Sequence, residues 1–375
     1  MQALYGDPLI EIATLCDQSP TRTRKAFRSV NKAFRLAYDV QCVSITLKSE
    51  PSFPIKERWP NIKRVQLGNG WADAFGWALD SMWGQIEELD VSNTGREQHT
   101  LSIPLGRCTN LRTLNLYESG VSDLSPLVNC IHLHTLTASL CGLSDLSPLA
   151  YCTKLHTLDM SMSNVSDLSP LAHCTELHTL ELWDTCVSDL SPLAKCTKLR
   201  TLICHMSDLS PLAAYCTKLH TLDVCNSSVS DLSPLAHCTE LHTLELWDTC
   251  VSDLSPLAKC TELVDIDVSH TNVCDLSPLA DCHLLRSLRM THTNVSNLSP
   301  LAGCTKLHML DVSSTDVIDL SPLAKCTELH ELDVSSTDVI DLGPLVKCTK
   351  LVHIDVSHTN VCDLSPLAPL ARCTK

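Results

Sequence analysis

Cysteine and histidine recur together along this chain, and their side chains are ones that bind metal ions. The pattern Cys-Thr-x-Leu-His, in which a histidine follows a cysteine by four residues, occurs in six places. These pairs are Cys152/His156, Cys174/His178, Cys216/His220, Cys238/His242, Cys304/His308 and Cys326/His330. A zinc site needs about four ligands that converge tetrahedrally. The spacing instead predicts cysteines that point into a core and histidines at the outer edge of a strand. We therefore predict no metal site and no cofactor.

Other reactive chemistry has little support. No nucleophile elbow, phosphate-binding glycine loop, dinucleotide fingerprint or His-Glu-x-x-His motif occurs. The 22 cysteines would indicate disulfides in a small secreted domain, but in a long chain without an evident export signal we interpret them as reduced thiols. An enzyme needs unlike groups that converge in a pocket. We predict a protein that is not an enzyme.

The elements that position these residues come from an internal repeat. Twelve cysteines recur at a spacing of 22 residues, with one interval of 20. They are Cys108, Cys130, Cys152, Cys174, Cys196, Cys216, Cys238, Cys260, Cys282, Cys304, Cys326 and Cys348. A clear copy is CTELHTLELWDTCVSDLSPLAK at residues 174–195. Residues 165–197 and 229–261 are identical, so these two segments were copied whole and their side chains are not independent choices.

Each repeat predicts one short strand. In the copy at 174–195, leucines at alternate positions predict a strand over about 179–183, with Leu180 and Leu182 inward and Glu181 and Trp183 outward. Such a strand buries its apolar side only when repeats stack in parallel. Thr185 is expected to bond the turn backbone. Ser191 and Pro192 are expected to be the N-cap and first turn of a short 3₁₀ or helical segment.

These repeats resemble the leucine-rich repeat family, in the 22-residue class known from internalins. The resemblance covers about residues 84–369, with Thr in place of the usual Asn and Cys in place of an apolar residue. It implies an α/β fold: a leucine-rich repeat solenoid with a curved parallel β-sheet, 3₁₀ or short helical outer segments and a small helical N-terminal cap. We divide the chain into a cap at 1–40, irregular repeats at 41–107 and regular repeats at 108–375. With a first strand at Val43–Leu47, about fifteen coils are expected.

The N-terminal segment has two interpretations. Its apolar helical stripe is typical of an amphipathic cap that closes the first coil. It also resembles a degenerate F-box, which would make the chain a substrate receptor that docks on the adaptor of an SCF-type ubiquitin ligase. The residues that would dock are Pro8, Leu9, Ile12, Phe27, Val30 and Phe34.

The outward strand positions are the candidate binding site. A central column combines eight carboxylates with Arg289: Asp159, Glu181, Asp223, Glu245, Asp267, Asp311, Asp333 and Asp355. Beside it are aromatic residues and their neighbours: Tyr117, Trp183, Asp184, Trp247 and Asp248. Such a face favours a basic, extended polypeptide. The alternative interpretations are a solvated acidic face, and tryptophans that serve packing only.

The charge of the whole chain agrees with a protein partner. Its formal net charge is −15, which argues against a nucleic-acid or anionic-membrane partner. No apolar stretch is long enough to span a membrane and no secretory signal is evident, so we expect a cytoplasmic location. The sequence ends three residues into a further repeat, and this uncapped end is a possible site of association.

Overall fold

The computed structural model describes residues 44–47, 60–67, 82–94, 104–214 and 217–368. They belong to two compact units. The first comprises residues up to Leu177 together with Asp184–Cys186, and the second comprises His178–Trp183 and the residues from Val187 onward. Within the described ranges, no helix has the length and apolar character needed to cross a membrane. The predicted helical cap at 1–40 and the uncapped end lie outside the described residues.

The described residues of the first unit include six short strands. They are β1 (Ser44–Leu47), β2 (Arg64–Leu67), β3 (Glu88–Asp90), β4 (Thr113–Asn115), β5 (Thr135–Thr137) and β6 (Thr157–Asp159). Within this unit, each strand pairs in parallel with the next one. Parallel pairing of consecutive strands requires a crossover in every repeat, and the non-strand half of each repeat provides it.

The described residues of the second unit include nine strands in the same arrangement. They are β7 (Thr179–Leu182), β8 (Thr201–Cys204), β9 (Thr221–Asp223), β10 (Thr243–Glu245), β11 (Asp265–Asp267), β12 (Ser287–Arg289), β13 (Met309–Asp311), β14 (Glu331–Asp333) and β15 (His353–Asp355). Every strand again pairs in parallel with its successor. The predicted fold class and the expected number of coils are therefore confirmed.

Short 3₁₀ segments lie between the strands. Their bounds are Trp83–Gln85, Leu105–Arg107, Ser125–Asn129, Ser147–Tyr151, Ser169–His173, Ser191–Lys195, Ser210–Ala214, Ser233–His237, Ser255–Lys259, Ser277–Leu279, Ser299–Gly303, Ser321–Lys325, Gly343–Lys347 and Ser365–Leu367. The expectation that serine is the N-cap was wrong. The preceding residue, such as Leu254, holds that position without a side-chain bond. The capping acceptor is an aspartate, since Asp253 Oδ1 accepts the Ser255 N–H at 2.8 Å.

The core of each unit is built from the inward residues of the repeats. In the second unit, Leu244 and Leu246 are fully buried, as are Val251, Leu254 and Leu257 from the rest of the same repeat. The strand residues alternate with half-buried outward neighbours, as the period of two requires. One strand alone cannot enclose these side chains, so stacking of neighbouring repeats creates the core.

A left-handed residue follows nearly every strand. Within the described part of the chain, twelve non-glycine residues have φ between 50° and 58°, and all occupy the same repeat position. The hydroxyl predicted to brace this turn does so: Thr249 Oγ1 donates to the Leu246 carbonyl at 2.7 Å, and Thr315 and Thr337 repeat the contact. This bond and the strand aspartates supply turn contacts that offset a conformation costly for most residues.

Candidate protein-binding face

The outward strand side chains form the predicted columns. Strand register in the second unit aligns one residue from each strand, which we call the central column: Glu181, Ile203, Asp223, Glu245, Asp267, Arg289, Asp311, Asp333 and Asp355. In the first unit Asp159 is aligned with Thr137. Neighbouring positions are about 4.8 Å apart along the sheet. The alignment of the carboxylates is confirmed, and a role for them in binding stays a prediction.

The aspartates of the central column also have a structural task. Asp267 Oδ1 accepts the Ser269 N–H at 2.8 Å, and Asp311 and Asp333 accept from Ser313 and Ser335 in the same way. Asn115 makes the equivalent bond to the Tyr117 N–H at 3.0 Å. An acceptor oxygen at this position turns the chain at the end of the strand. Asparagine supplies that oxygen without the charge.

Arg289 lies in the central column of the second unit, between Asp267 and Asp311. Its Nε donates to Asp267 Oδ2 at 2.8 Å, and its Nη2 lies 3.2 Å from Glu245 Oε1 and 3.7 Å from Asp265 Oδ1. One guanidinium therefore neutralises part of the charge of three carboxylates. Asp267 is 8% exposed, so it is not the freely solvated group expected of an acidic face.

Burial and crowding shift the pKa values of this cluster. The pKa of Glu245 rises to about 7 because burial disfavours its charge, and the nearby Asp265, Asp267 and Asp223 carboxylates add to the rise while Arg289 opposes it. Burial also raises the pKa of Asp311, with Asp333 contributing. Burial opposes the charge of Arg289, yet its carboxylate partners hold its pKa above the usual range.

The predicted aromatic residues are half-exposed beside the column. Trp183 and Trp247 are each 39% exposed and Tyr117 is 37% exposed. The Trp183 ring meets His205 edge-on at a centroid distance of 5.4 Å, and the Trp247 ring meets His270 edge-on at 5.9 Å. These contacts fix the indoles without covering them. Tryptophans held in this way can meet a partner at a low entropy cost.

The backbone conformation also constrains the aspartates that follow the tryptophans. Asp184 and Asp248 are left-handed residues, with φ of 52° and 55°. The Asp248 N–H donates to the Ser269 carbonyl at 3.0 Å. Aspartate tolerates this conformation better than most residues. Their type is therefore explained in part by the turn, and a binding role for them stays a prediction.

Several residues of this face were not singled out in the sequence. His205 and His270 are the ring partners, and Asp265 completes the arginine cluster. A surface depression of about 290 Å³ on β13–β15 is lined by Met309, Leu310, Asp311, Glu331, Leu332, Asp333, His353, Ile354 and Asp355. The signal for Asp265 and Glu331 was available, because each lies two residues before a column aspartate and so shares its outward direction.

The repeated cysteines lie in the core, and the repeated histidines lie outside it. Cys130 Sγ lies 3.4 Å from the Cys108 carbonyl, and burial raises the pKa of Cys130 to about 11 and of Cys152 to about 12. The histidines stack on one another outside the core, as in the His220–His242 pair with centroids 5.1 Å apart. Among the residues that the structure describes, no three His, Cys, Asp or Glu side chains are grouped to hold a metal ion.

The sequence also predicts docking residues in the N-terminal segment. Pro8, Leu9, Ile12, Phe27, Val30 and Phe34 lie outside the described residues. Their docking on an SCF adaptor stays a prediction.

The fold and the exposed sheet face define a parallel repeat protein, and comparison with known proteins gives the family. An internalin (inlF) from Listeria monocytogenes strain 4b F2365 is 30% identical, with a TM-score of 0.70 over 74% of this chain and 84% of the internalin. The chain belongs to the leucine-rich repeat proteins, with repeats of the internalin type. No family profile matches it, and no curated protein sequence does.

Two further structures share the fold at lower identity. The leucine-rich repeat protein LIC12759 of Leptospira interrogans is 14% identical, with a TM-score of 0.76 over 92% of this chain and 98% of that protein. The plant peptide hormone receptor RGFR1, solved in complex with RGF2, is 15% identical, with a TM-score of 0.61 over 85% of this chain and 62% of the receptor. At these identities the likeness concerns the fold alone.

Proposed function

We propose that this chain is a non-enzymatic scaffold that binds a partner protein on the sheet face of its second unit, with Trp183 and Trp247 as anchors. The leucine-rich repeat fold supports this function, because a receptor of the same fold has been solved with a peptide hormone. A broad face of short strands offers contact area for a polypeptide and little enclosure for catalysis.

The observation that carries the proposal is the repeated Trp–His contact. The two tryptophans belong to copied segments, so their presence alone reflects one event. Their histidine partners lie outside the copied segments and at different repeat positions, since His205 aligns with the Trp183 position and His270 occupies a left-handed turn. Copying therefore does not explain why both indoles are held edge-on and half-exposed.

Substitution of both tryptophans tests the proposal. Partners are captured from an extract of the source cells by the wild type, by Trp183→Ala/Trp247→Ala and by the control Ile318→Ala/Ile340→Ala. The control removes side chains that are 56% and 61% exposed and lie outside the strands. Each anchor is worth about 2 kcal/mol or more at an interface. A partner held by the wild type and the control but lost by the tryptophan variant supports the proposal, and one held equally by all three contradicts it.

A further inference from the structure

The chain contains its own example of what a set of carboxylates on this face can hold. Glu245 on β10 and Asp265 and Asp267 on β11 surround the guanidinium of Arg289, which reaches them from β12. Nε bonds Asp267 at 2.8 Å, and Nη2 lies 3.2 and 3.4 Å from the two Glu245 oxygens. We call these three carboxylates the occupied triad. Forked, charge-assisted contacts of this kind suit the planar guanidinium better than a single ammonium.

The same arrangement of carboxylates recurs on β13 and β14, the two strands that follow the strand of Arg289. Register pairs Asp311 on β13 with Asp333 on β14, as it pairs Glu245 with Asp267. Glu331 lies two residues before Asp333, where Asp265 lies before Asp267. We call Asp311, Glu331 and Asp333 the open triad. In residue type, the two triads differ only in the place of the glutamate, which is Glu245 on the first strand of the occupied triad and Glu331 on the second strand of the open triad.

The open triad differs from the occupied one in its third strand. There β15 places Asp355 at the position that Arg289 has on β12. Ion pairs within the described part of the chain include none between the open triad and a lysine or arginine. Burial raises the pKa of Asp311, and the neighbouring Asp333 adds to the rise.

Space for a ligand lies at the same place. The depression of about 290 Å³ is lined by all three carboxylates of the open triad, with Met309 and His353 beside them. Met309 also contacts the arginine that the occupied triad holds, since its sulfur lies 3.9 Å from Arg289 Nη1. An arginine side chain entering the depression would therefore meet the same types of group that surround Arg289.

We propose that the open triad binds an arginine side chain from an extended segment of the partner protein. This inference rests on the proposed function and names the chemistry that the partner presents. Arg289 satisfies the occupied triad from within the chain, whereas the open triad on β13 and β14 is left for a basic partner. The tryptophans lie on the other side of Arg289, and one extended segment can contact both regions.

A labelled peptide tests the open triad directly. The probe is a fluorescent hexapeptide of alternating glycine and arginine, compared with versions that carry lysine or the neutral analogue citrulline. Wild-type protein is expected to bind the arginine peptide about tenfold more tightly than the citrulline peptide, and more tightly than the lysine peptide. Fluorescence anisotropy measures each affinity. Equal binding of the arginine and citrulline peptides would overturn the proposal.

The variant Asp311→Asn/Asp333→Asn removes two charges and keeps the turn. Asn115 shows that an amide oxygen makes the same backbone bond, so this variant should fold. Its control is Asp316→Asn/Asp338→Asn, which removes equal charge from exposed positions of the same repeats. We expect about a tenfold loss of affinity in the first variant and less than about a twofold change in the control. Equal losses in both would show non-specific attraction and overturn the proposal.

A gain of binding provides an independent test. Arg289→Gln should free the occupied triad, so the number of arginine peptides bound per chain should rise from one to two by calorimetry. A folded Arg289→Gln protein that binds only one peptide would contradict the equivalence of the two triads. If circular dichroism shows that it is unfolded, the aspartate variants decide alone.

The two proposals can fail separately. Loss of the cellular partner in Trp183→Ala/Trp247→Ala, together with unchanged capture by Asp311→Asn/Asp333→Asn, would retain the scaffold function and reject the arginine site. Binding of the arginine peptide that depends on the open triad, without any partner that depends on the tryptophans, would retain the site and reject the tryptophan anchors.

Discussion

Two segments of the chain, 165–197 and 229–261, are identical in sequence but differ in the surroundings of their sheet faces. Glu181 in the first is aligned with Ile203 of the next strand, whereas Glu245 in the second is aligned with Asp267 and contacts Arg289. Each tryptophan meets a histidine from a different repeat position. The chemistry at one position of a repeat array is therefore set by the repeat that follows as much as by the residue itself.

The short repeat at 196–215 explains much of the difference. It has 20 residues where the other regular repeats have 22, and none of its described residues has the positive φ that follows the other strands from β3 onward. Its strand β8 ends at Cys204, and the next residue, His205, meets the Trp183 ring at a centroid distance of 5.4 Å. After the second segment a full-length repeat supplies a left-handed His270 instead.

The largest expected effect tests whether the copies are alike in the core. Leu180 and Leu244 are both fully buried, and each leaves a cavity when shortened to alanine. We expect Leu180→Ala and Leu244→Ala to lower the free energy of unfolding by about 3 kcal/mol each. Chemical denaturation measures both. Costs that differ by more than about 1 kcal/mol would contradict the view that the copies differ only on the sheet face.

Thiol reactivity distinguishes the two sides of the copied repeats. Cys174 and Cys238 are buried, whereas their neighbours Cys186 and Cys250 are exposed. Burial raises the pKa of Cys238 to about 11, which leaves little thiolate at pH 8. We expect iodoacetamide to modify Cys186 and Cys250 about a hundredfold faster in the native protein. Mass spectrometry after brief alkylation gives the rates, and rapid modification of Cys238 before unfolding would contradict the buried ladder.

The acidic cluster around Glu245 is expected to make the stability of the second copied segment depend on pH. The pKa of Glu245 is raised from 4.5 to about 7, so the folded state retains a proton that the unfolded state has lost between these values. The stability that this proton provides is present below about pH 4.5 and is lost as the pH rises through about 7. We expect Glu245→Gln to reduce that decline and to raise stability at pH 8 by about 1–2 kcal/mol.

Thermal denaturation between pH 4.5 and pH 8 checks this prediction. The control is Glu262→Gln, an exposed carboxylate in the repeat that begins at Cys260. It removes the same charge away from the cluster. A pH profile of Glu245→Gln that follows the wild type and the control would show that Glu245 does not carry the proton.

Much of the fold was predictable because it depends on periodicity. The alternation of inward leucines such as Leu180 and Leu182 occurs in repeat after repeat. It determines the strands, their register and the core, and the structure confirms all three. For the candidate site, the sequence predicted only which side chains are aligned on the sheet face. The reach of Arg289 across two strands depends on side-chain length and direction, and the contact of His205 with Trp183 belongs to the shortened repeat. Neither property is contained in the repeat pattern, which treats all repeats as equal.

The smallest expected effect concerns the histidines that hold the tryptophans. Edge-on ring contacts are worth about 0.5–1 kcal/mol, so His205→Ala and His270→Ala should each lower stability by that amount and shift the fluorescence of the adjacent indole. His237→Ala is a suitable control, because His237 is exposed and belongs to the end of a 3₁₀ segment. If His205 and His270 orient the indoles for a partner, their loss should also weaken capture by more than it weakens the fold. Capture that is unchanged in both variants would assign the histidines to packing alone.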